Sequence, residues 1–296
     1  MNALILGGGL LSNSLIKFKK NKSIESRFSF QGRVNGYEKE KQLLVNYIES
    51  ANKKNKIDCI INCRGYTNVD NCENNKRKAY YLNTQFPELI AELSKLFNIS
   101  IIQISTDHVY NGKNNFYKEN EANPINYYGE TKLKGEEKLR QNCQYSTVIR
   151  CNFVCKTYST KKSFADSIIE SISKNNYYNA FFDAKFTPVS LKKLAKVIYF
   201  VYTNKIYGTY NLGSEEAISK YDFAKLIASN YSEGLEKFIK KSFLEDRKDL
   251  VKRPINLSLD STKLNSVILE KGEKVNDIVN NYIEEKRNIH HYEKLF

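Results

Sequence analysis

The sequence predicts an α/β fold in which a doubly wound parallel sheet is joined to a smaller α/β lobe. Its 296 residues are enough to bury a sizeable core. Short β-rich runs alternate with helix-period segments through the first half, which is typical of a parallel sheet covered on both faces. Because this alternation loosens further on, we expect residues 1–155 to form the sheet domain and 156–296 to form mainly the second lobe. Residues 180–203 are expected to return to the first domain.

The predicted elements follow one another in a regular order. The strands of the first half are NALIL (2–6), SRFSF (26–30), IDCIIN (57–62), ISIIQIS (99–105) and STVIRC (146–151), and the helices cover 10–20, 38–52, 76–97 and 126–142. The second part continues with a helix over 161–174, the strand NAFFD (179–183), a helix over 190–203, the strand GTYNLG (208–213), a helix over 219–230 and a charged C-terminal region.

The net charge and the distribution of apolar residues indicate which classes of partner to expect. A net charge of +14 would suit nucleic acid or an anionic membrane, but lysine is spread along the chain and no RNP, zinc-finger or helix-turn-helix signature occurs. We therefore expect no nucleic-acid partner and a solvated basic surface that can steer a small anionic substrate. The N-terminal apolar run ALILGGGLL is short, contains three glycines and follows no basic residue, so we expect neither a signal peptide nor a membrane anchor.

The cysteines argue against a metal site and against a disulfide framework. They form no C-x-x-C pair, and two of the three histidines lie together near the C-terminus. We expect no metal, and reduced thiols in a cytoplasmic protein. The six cysteines are Cys59, Cys63, Cys72, Cys143, Cys151 and Cys155.

A glycine-rich connection joins the first predicted strand to the first helix. Gly7, Gly9, Leu10, Leu11 and Ser12 form an imperfect version of the G-x-G-x-x-G pattern, with serine in the third position. In that pattern a dinucleotide pyrophosphate rests on the helix N-terminus. A glycine-rich turn after a strand can also be an ordinary turn without a ligand, so this motif alone does not distinguish a dinucleotide-binding loop from such a turn.

The end of the second predicted strand indicates which cofactor is preferred. An acidic residue about 20 positions beyond the glycine loop would bind the ribose of NADH. The segment FSFQGRVNG (28–36) has no Asp or Glu and offers Arg33 instead. We therefore predict NADPH, with NADH possible.

A tyrosine and a lysine begin the helix predicted over 126–142. Tyr128 and Lys132 are four residues apart, hence on one helix face, where a cation can lower the pKa of a phenol that protonates a reacting oxygen. Only this pair follows a long apolar strand that ends in hydroxyl residues, and Thr106 there can hydrogen-bond the same oxygen. The spacing alone carries no weight, because it also begins at Tyr37, Tyr158 and Tyr221.

Several segments, taken in order, resemble the extended short-chain dehydrogenase/reductases, and most of all those that reduce keto sugars linked to nucleotides. The similarity runs from residue 1 to about 265. It implies a Rossmann-type sheet with a substrate-binding lobe, a homodimer, NADPH or NADH as hydride donor and a nucleotide-linked 4-keto sugar as substrate. The segments are INCRGYTNVDNCE (61–73), ISTDHVYNG (104–112), NPINYYGETKLKGE (123–136), GTYNLGSEEAISKYDFAKLI (208–227) and RPINLSLDSTKL (253–264).

The resemblance implies three sets of site residues. In the catalytic set, Tyr128 would donate the proton, Thr106 would hold the substrate oxygen, and Lys132 would bind the nicotinamide ribose and lower the tyrosine pKa. The cofactor set is Gly7, Gly9, Leu10, Leu11, Arg33, Cys63, Arg64, Tyr66 and Lys132. The substrate set is Thr106, Asp107, Val109, Tyr128, Phe153 and Arg253.

Some positions depart from the family pattern. The glycine loop is one residue shorter and ends in Ser12, Arg64 stands where alanine is usual, and the segment DAKFTPV (183–189) keeps only two family residues. Phe153 replaces the usual tryptophan of the substrate pocket, and its alternative role is that of a core phenylalanine. The reductase chemistry is expected to be intact, whereas the identity of the sugar is left open.

Two other functions fit the same scaffold. A sugar-nucleotide epimerase would return the hydride to the sugar and release no oxidised cofactor. A non-catalytic regulatory subunit would bind the dinucleotide without turnover, since fold does not fix function.

Overall fold

The computed structural model describes residues 2–17, 26–28, 36–154 and 162–287. The strands within these ranges are β1 (Ala3–Leu6), β2 (Ser26–Phe28), β3 (Cys59–Asn62), β4 (Ser100–Ser105), β5 (Ser146–Val154), β6 (Tyr178–Phe181), β7 (Lys185–Phe186), β8 (Pro188–Ser190), β9 (Gly208–Leu212), β10 (Ile218–Ser219), β11 (Ile239–Ser242) and β12 (Asn256–Leu257).

The helices of the same ranges are α1 (Leu10–Lys17), α2 (Tyr37–Asn52), α3 (Val69–Asn74), α4 (Lys76–Tyr80), α5 (Phe86–Phe97), α6 (Tyr127–Asn142), α7 (Phe164–Ser173), α8 (Leu191–Thr203), α9 (Lys220–Tyr231), α10 (Thr262–Ile268) and α11 (Val275–Arg287). A π-helical segment, Tyr81–Gln85, joins α4 to α5, so that this stretch is helical without a break. Among the helices described, none combines the length and the apolar character needed to cross a bilayer.

The main sheet is parallel throughout. Its order is β2-β1-β3-β4-β5-β8, and β9 pairs with the first part of β5 while β8 pairs with its end. The five strands predicted for the first half all occur in it. The predicted doubly wound Rossmann-type α/β fold is therefore confirmed.

Helices cover both faces of this sheet. Because successive side chains of a strand point to opposite faces, β1 contributes to two separate cores. Ala3 and Ile5 pack with residues of α1, α8 and α10. Leu4 and Leu6 pack with residues of α2, α5 and α6.

A third core lies in the second lobe, where α7, α9 and α11 pack around two small sheets. These sheets have the orders β10-β7-β12 and β11-β6. Within residues 180–203, β8 and α8 belong with the main sheet, whereas β6 and β7 pair in the small sheets. The expected boundary at residue 155 falls outside the described residues, and the division of the chain stays a prediction.

Candidate active site

A cavity of about 380 Å³ lies at the carboxyl ends of the central strands, beside the start of α7. β1 lies between β2 and β3, so the chain connections on its two sides run in opposite directions along the sheet. Open α/β sheets commonly bind ligands where the strand order reverses in this way. The predicted site residues that line the cavity are Gly9, Leu10, Leu11, Cys63, Arg64, Thr106, Asp107, Tyr128, Lys132 and Phe153.

The turn after β1 requires glycine. Gly7 has a φ of 138°, and a β-carbon there would lie 3.3 Å from the carbonyl carbon of Cys63. A β-carbon on Gly9 would meet no atom within 4 Å. The Ser12 hydroxyl donates to the Gly9 carbonyl oxygen at 3.1 Å, which ties the turn to α1. The shortened loop thus still leaves open space at the N-terminus of α1.

Helix α6 is held very close to the turn that follows β4. Its N-cap, Asn126, accepts a hydrogen bond from the Gly129 amide at 2.9 Å. A β-carbon on Gly129 would lie 2.1 Å from the carbonyl oxygen of His108, so only glycine allows this approach. The close packing places Tyr128 beside Thr106 at the cavity.

The phenol of Tyr128 is buried at this position. Burial raises its pKa, hydrogen bonding with the Thr106 side chain lowers it, and the nearby Asp107 carboxylate raises it further. The net shift is upward, so the phenol carries its proton at neutral pH. Thr106 also accepts a hydrogen bond from the His108 amide at 3.2 Å, which fixes the threonine in the turn.

Lys132 lies one helical turn beyond Tyr128 and is equally buried. Its Nζ donates to the carbonyl oxygen of Ile104 at 3.0 Å. Burial lowers the pKa of the ammonium, and the neighbouring Glu136 carboxylate raises it. Burial is the largest influence on the Tyr128 pKa, and the expected lowering of that pKa by Lys132 stays a prediction.

A buried ion pair lies beneath these residues. Arg150 of β5 donates to Glu136 of α6 from Nε at 3.0 Å and from Nη2 at 2.6 Å. The Ser105 hydroxyl of β4 also donates to Glu136. β4, β5 and α6 are therefore tied together directly below the cavity.

Asp107 and Phe153 occupy the wall of the cavity next to Tyr128. The Asp107 carboxylate accepts hydrogen bonds from Thr106 Oγ1 at 3.1 Å and from Asn152 Nδ2 at 2.8 Å. Phe153 lines the cavity and also packs against the core shared by β1, α1 and α8. Its placement fits both the pocket role and the core role.

Arg64 lines the cavity on the side of β3. Its guanidinium forms an ion pair with the buried Glu40 of α2 and lies 4.4 Å from the ring centroid of Phe86. Tyr81 also donates to Glu40. The arginine is thus anchored to α2 and α5 at the edge of the predicted cofactor site.

Four of the remaining predicted residues do not line this cavity: Gly7, Tyr66, Val109 and Arg253. Val109 is fully buried in the core around α7, α9 and α11, and its predicted contact with substrate stays a prediction. Tyr66 is held through its main chain by Asn83. Arg253 forms an ion pair with Asp70 at 2.6 Å and lines a neighbouring cavity. Arg33 lies outside the described residues.

Sequence reasoning missed several lining residues. His108 directly follows Asp107 and Asn152 directly precedes Phe153, so their sequence positions could have identified both as lining residues. Ser163 and Phe164 come from the start of α7, and only the packing of the second lobe brings them to the cavity. No motif in the sequence marks that approach.

Comparisons with other proteins identify a family that the sequence matches. Residues 1–288 match the family model described as RmlD substrate binding domain. The chain is 29% identical over 209 residues to the probable low-salt glycan biosynthesis reductase Agl14 of Haloferax volcanii, covering 69% of each protein. It is 28% identical over 222 residues to the dTDP-4-dehydrorhamnose reductase of Aggregatibacter actinomycetemcomitans, covering 71% of this chain and 74% of that protein.

A solved structure shows the same fold over almost all of the chain. The dTDP-4-dehydrorhamnose reductase of Bacillus anthracis, in complex with NADP, superposes with a TM-score of 0.82 at 19% identity. The superposition covers 96% of this chain and 100% of that one.

Proposed function

Because the chain belongs to the RmlD substrate-binding domain family, we propose that it is an NAD(P)H-dependent reductase that converts a keto group on a nucleotide-linked sugar into a hydroxyl group. The observation that carries the proposal is that Thr106, Tyr128 and Lys132 line one cavity beside the glycine turn. The similar proteins are named as dTDP-4-dehydrorhamnose and glycan-biosynthesis reductases, which favours a role in deoxysugar and surface-polysaccharide biosynthesis.

The residues around the glycine turn fit a nicotinamide dinucleotide. Gly7 takes a backbone conformation that other residues avoid, and the space above Gly9 is open, as close approach of a pyrophosphate to the main chain requires. Gly9, Leu10, Leu11, Cys63, Arg64 and Lys132 would hold the cofactor. When bound, the cofactor supplies the hydride that reduces the carbonyl carbon.

NADPH is the proposed cofactor. The related Bacillus anthracis reductase binds NADP, and the segment after the second strand has no acidic residue for a free ribose hydroxyl. Arg33 would carry the preference, so Arg33→Ala should weaken NADPH binding more than NADH binding. Equal affinity of the variant and the wild type for NADPH would contradict this assignment.

Tyr128 would give its proton to the carbonyl oxygen as that oxygen becomes an alkoxide. The raised pKa keeps the phenol protonated before the reaction, which is the form that a general acid needs. The Thr106 hydroxyl would hydrogen-bond the same oxygen and stabilise the developing charge. Lys132 would hold the ribose and keep a positive charge near the phenolate that remains.

We further propose that the protein is a cytoplasmic homodimer. The five cysteines that the structure describes are all free, which suits a reducing compartment. The family resemblance supports the dimer. Light scattering of the purified protein should give twice the mass of one chain, and a monomer mass would contradict the dimer.

The activity test uses the purified protein with NADPH and dTDP-4-dehydrorhamnose. Absorbance at 340 nm should fall by one equivalent of NADPH per sugar reduced, and the product should be two mass units heavier than the substrate. This stoichiometry separates a reductase from an epimerase, which returns the hydride. Failure to consume NADPH with keto sugars linked to dTDP, CDP, GDP or UDP would overturn the proposal.

A further inference from the structure

A lysine of the second lobe lies close to the active-site cavity without a partner for its charge. Lys220 begins α9, and its Nζ lies 3.5 Å from the ring centroid of Phe186 and 4.9 Å from that of Phe164. Phe164 lines the cavity. The ammonium forms no hydrogen bond or ion pair with any residue that the structure describes, so aromatic faces are its contacts there.

The ammonium of Lys220 is accessible to a ligand. The residue is only partly buried, and its Nζ is not among the fully buried polar atoms that lack a partner. Burial lowers the pKa of the ammonium to about 8, and the Asp107 carboxylate raises it. At neutral pH the group is therefore a poorly solvated cation, which a bound anion would stabilise.

The groups that act on the charge of Lys220 place it on the substrate side of the cavity. The titratable ones are Asp107 and His108, which line the cavity after β4. The proposed cofactor site lies at the ends of β1 and β3. A nucleotide-linked sugar whose carbonyl group lies at Tyr128 would therefore extend its diphosphate toward the second lobe, where Lys220 lies.

The other cations around the cavity already have partners. Arg64, Lys162 and Arg253 each pair with a carboxylate. Lys132 donates to the carbonyl oxygen of Ile104. Among the described residues that line or adjoin the cavity, Lys220 thus keeps its charge for a ligand.

We propose that Lys220 binds the diphosphate of the nucleotide-linked sugar. Lysine has a flexible four-carbon stem, so its ammonium can leave the aromatic rings and reach a phosphate oxygen. A charge-assisted hydrogen bond to phosphate is stronger than a cation–π contact, so the exchange favours the ligand. This inference rests on the proposed reductase function and adds a residue that recognises the nucleotide part of the substrate.

The test measures the binding of nucleoside diphosphates by titration calorimetry, with NADP present so that the cofactor site is filled. Whichever of dTDP, UDP, CDP and GDP binds the wild type most tightly is compared with its own nucleoside, which has no phosphate. Lys220→Met keeps the stem and removes the charge. Its affinity for the diphosphate should fall about 10- to 100-fold, as expected for the loss of a hydrogen bond between charged groups, and its affinity for the nucleoside should not change.

The pH dependence gives a second readout. Wild-type affinity for the diphosphate should fall as the pH rises through about 8, because the ammonium of Lys220 loses its proton there. Lys220→Arg should bind the diphosphate without this fall, since a guanidinium stays charged. The lowered pKa means that the charged form destabilises the folded protein, so the melting temperature of Lys220→Met at neutral pH should stay equal or rise.

Lys225→Met is the matched control, because Lys225 lies on the same helix, is exposed and lies over the ring of Tyr221. It should bind the diphosphate like the wild type. Unchanged diphosphate affinity in Lys220→Met, or a wild type that binds no nucleoside diphosphate, would overturn the inference. A lower melting temperature with equal losses for nucleoside and diphosphate would show that Lys220 only supports the aromatic rings, and would also overturn it. Diphosphate binding that depends on Lys220 in a protein that reduces no keto sugar nucleotide would overturn the reductase function alone.

Discussion

Replacing Glu136 with glutamine should lower the free energy of unfolding by about 3 to 5 kcal/mol. The side chains of Glu136 and Arg150 are only 4% and 5% exposed, and their shortest contact is 2.6 Å. Glutamine keeps the shape but removes the charge, which leaves the Arg150 guanidinium buried without an anion. Breaking one side of a buried pair costs about 3 to 5 kcal/mol. At about 2 to 4 °C per kcal/mol, the melting temperature should fall by roughly 6 to 20 °C.

The assay is urea or thermal unfolding with Lys134→Ala as the matched control. Lys134 lies on the same helix and pairs with Glu130, but both side chains are about half exposed. Surface pairs of this kind contribute about 0 to 1 kcal/mol, so the control should unfold almost like the wild type. Equal unfolding midpoints for Glu136→Gln and Lys134→Ala would refute the reasoning, because a buried ion pair would then contribute no more to stability than an exposed one.

The same substitution should alter catalysis in a defined direction. The Glu136 carboxylate raises the pKa of Lys132, and burial lowers it. Without the carboxylate charge, burial is unopposed and the Lys132 pKa falls further. The limb of the pH–rate profile that reports loss of the Lys132 proton should therefore move to lower pH. A limb that stays in place would show that Lys132 does not titrate in the measured step.

Three further substitutions test the site. Tyr128→Phe should lower kcat by about 10² to 10⁴ with NADPH affinity unchanged, while Tyr221→Phe should turn over normally; a Tyr128→Phe enzyme that keeps more than a tenth of wild-type kcat would rule out the proton-donor role. Gly129→Ala should cost about 1 to 3 kcal/mol and on the order of 10² in kcat, because its β-carbon would meet the His108 carbonyl oxygen at 2.1 Å; wild-type melting temperature and kcat would contradict the close packing. Phe153→Ala should raise the KM for the sugar nucleotide with little change in melting temperature, whereas a loss of about 3 to 5 kcal/mol with unchanged KM would establish the core role.

The sheet could be predicted from the sequence because each buried strand carries a local signal. The run ISIIQIS is apolar on both faces, and a glycine turn follows β1. The hydrophobic pattern and the turn residues therefore locate these elements without tertiary information. The helix α11 was missed although its apolar positions, Val275, Ile278, Val279, Tyr282 and Ile283, recur at helical spacing. The polar and charged residues between these positions made the segment resemble a charged C-terminal region in the sequence. The short strands β7, β10 and β12 have two residues each and carry no periodic signal.

The site was predictable to the extent that its residues share short stretches of sequence. Thr106, Asp107, Tyr128 and Lys132 lie on either side of one strand-to-helix connection, and all four reach the cavity. Val109 lies only two residues beyond Asp107 but points into the second-lobe core, because a 3₁₀ turn over Asp107–Val109 redirects the chain. Local sequence cannot show that change of direction. Phe164 reaches the cavity only through the packing of α7.

The protonation states of Tyr128 and Lys132 suit the different roles proposed for them. Burial alone makes a phenol harder to ionise and an ammonium easier to deprotonate. In the proposed mechanism the protonated phenol is already the form that begins the reduction, so Tyr128 would need electrostatic stabilisation only once it becomes a phenolate. Glu136 raises the pKa of the ammonium and so favours its charged form, and Arg150 keeps the Glu136 carboxylate in place. In the proposed reaction the buried ion pair would therefore contribute through Lys132, in addition to stabilising the sheet beneath it.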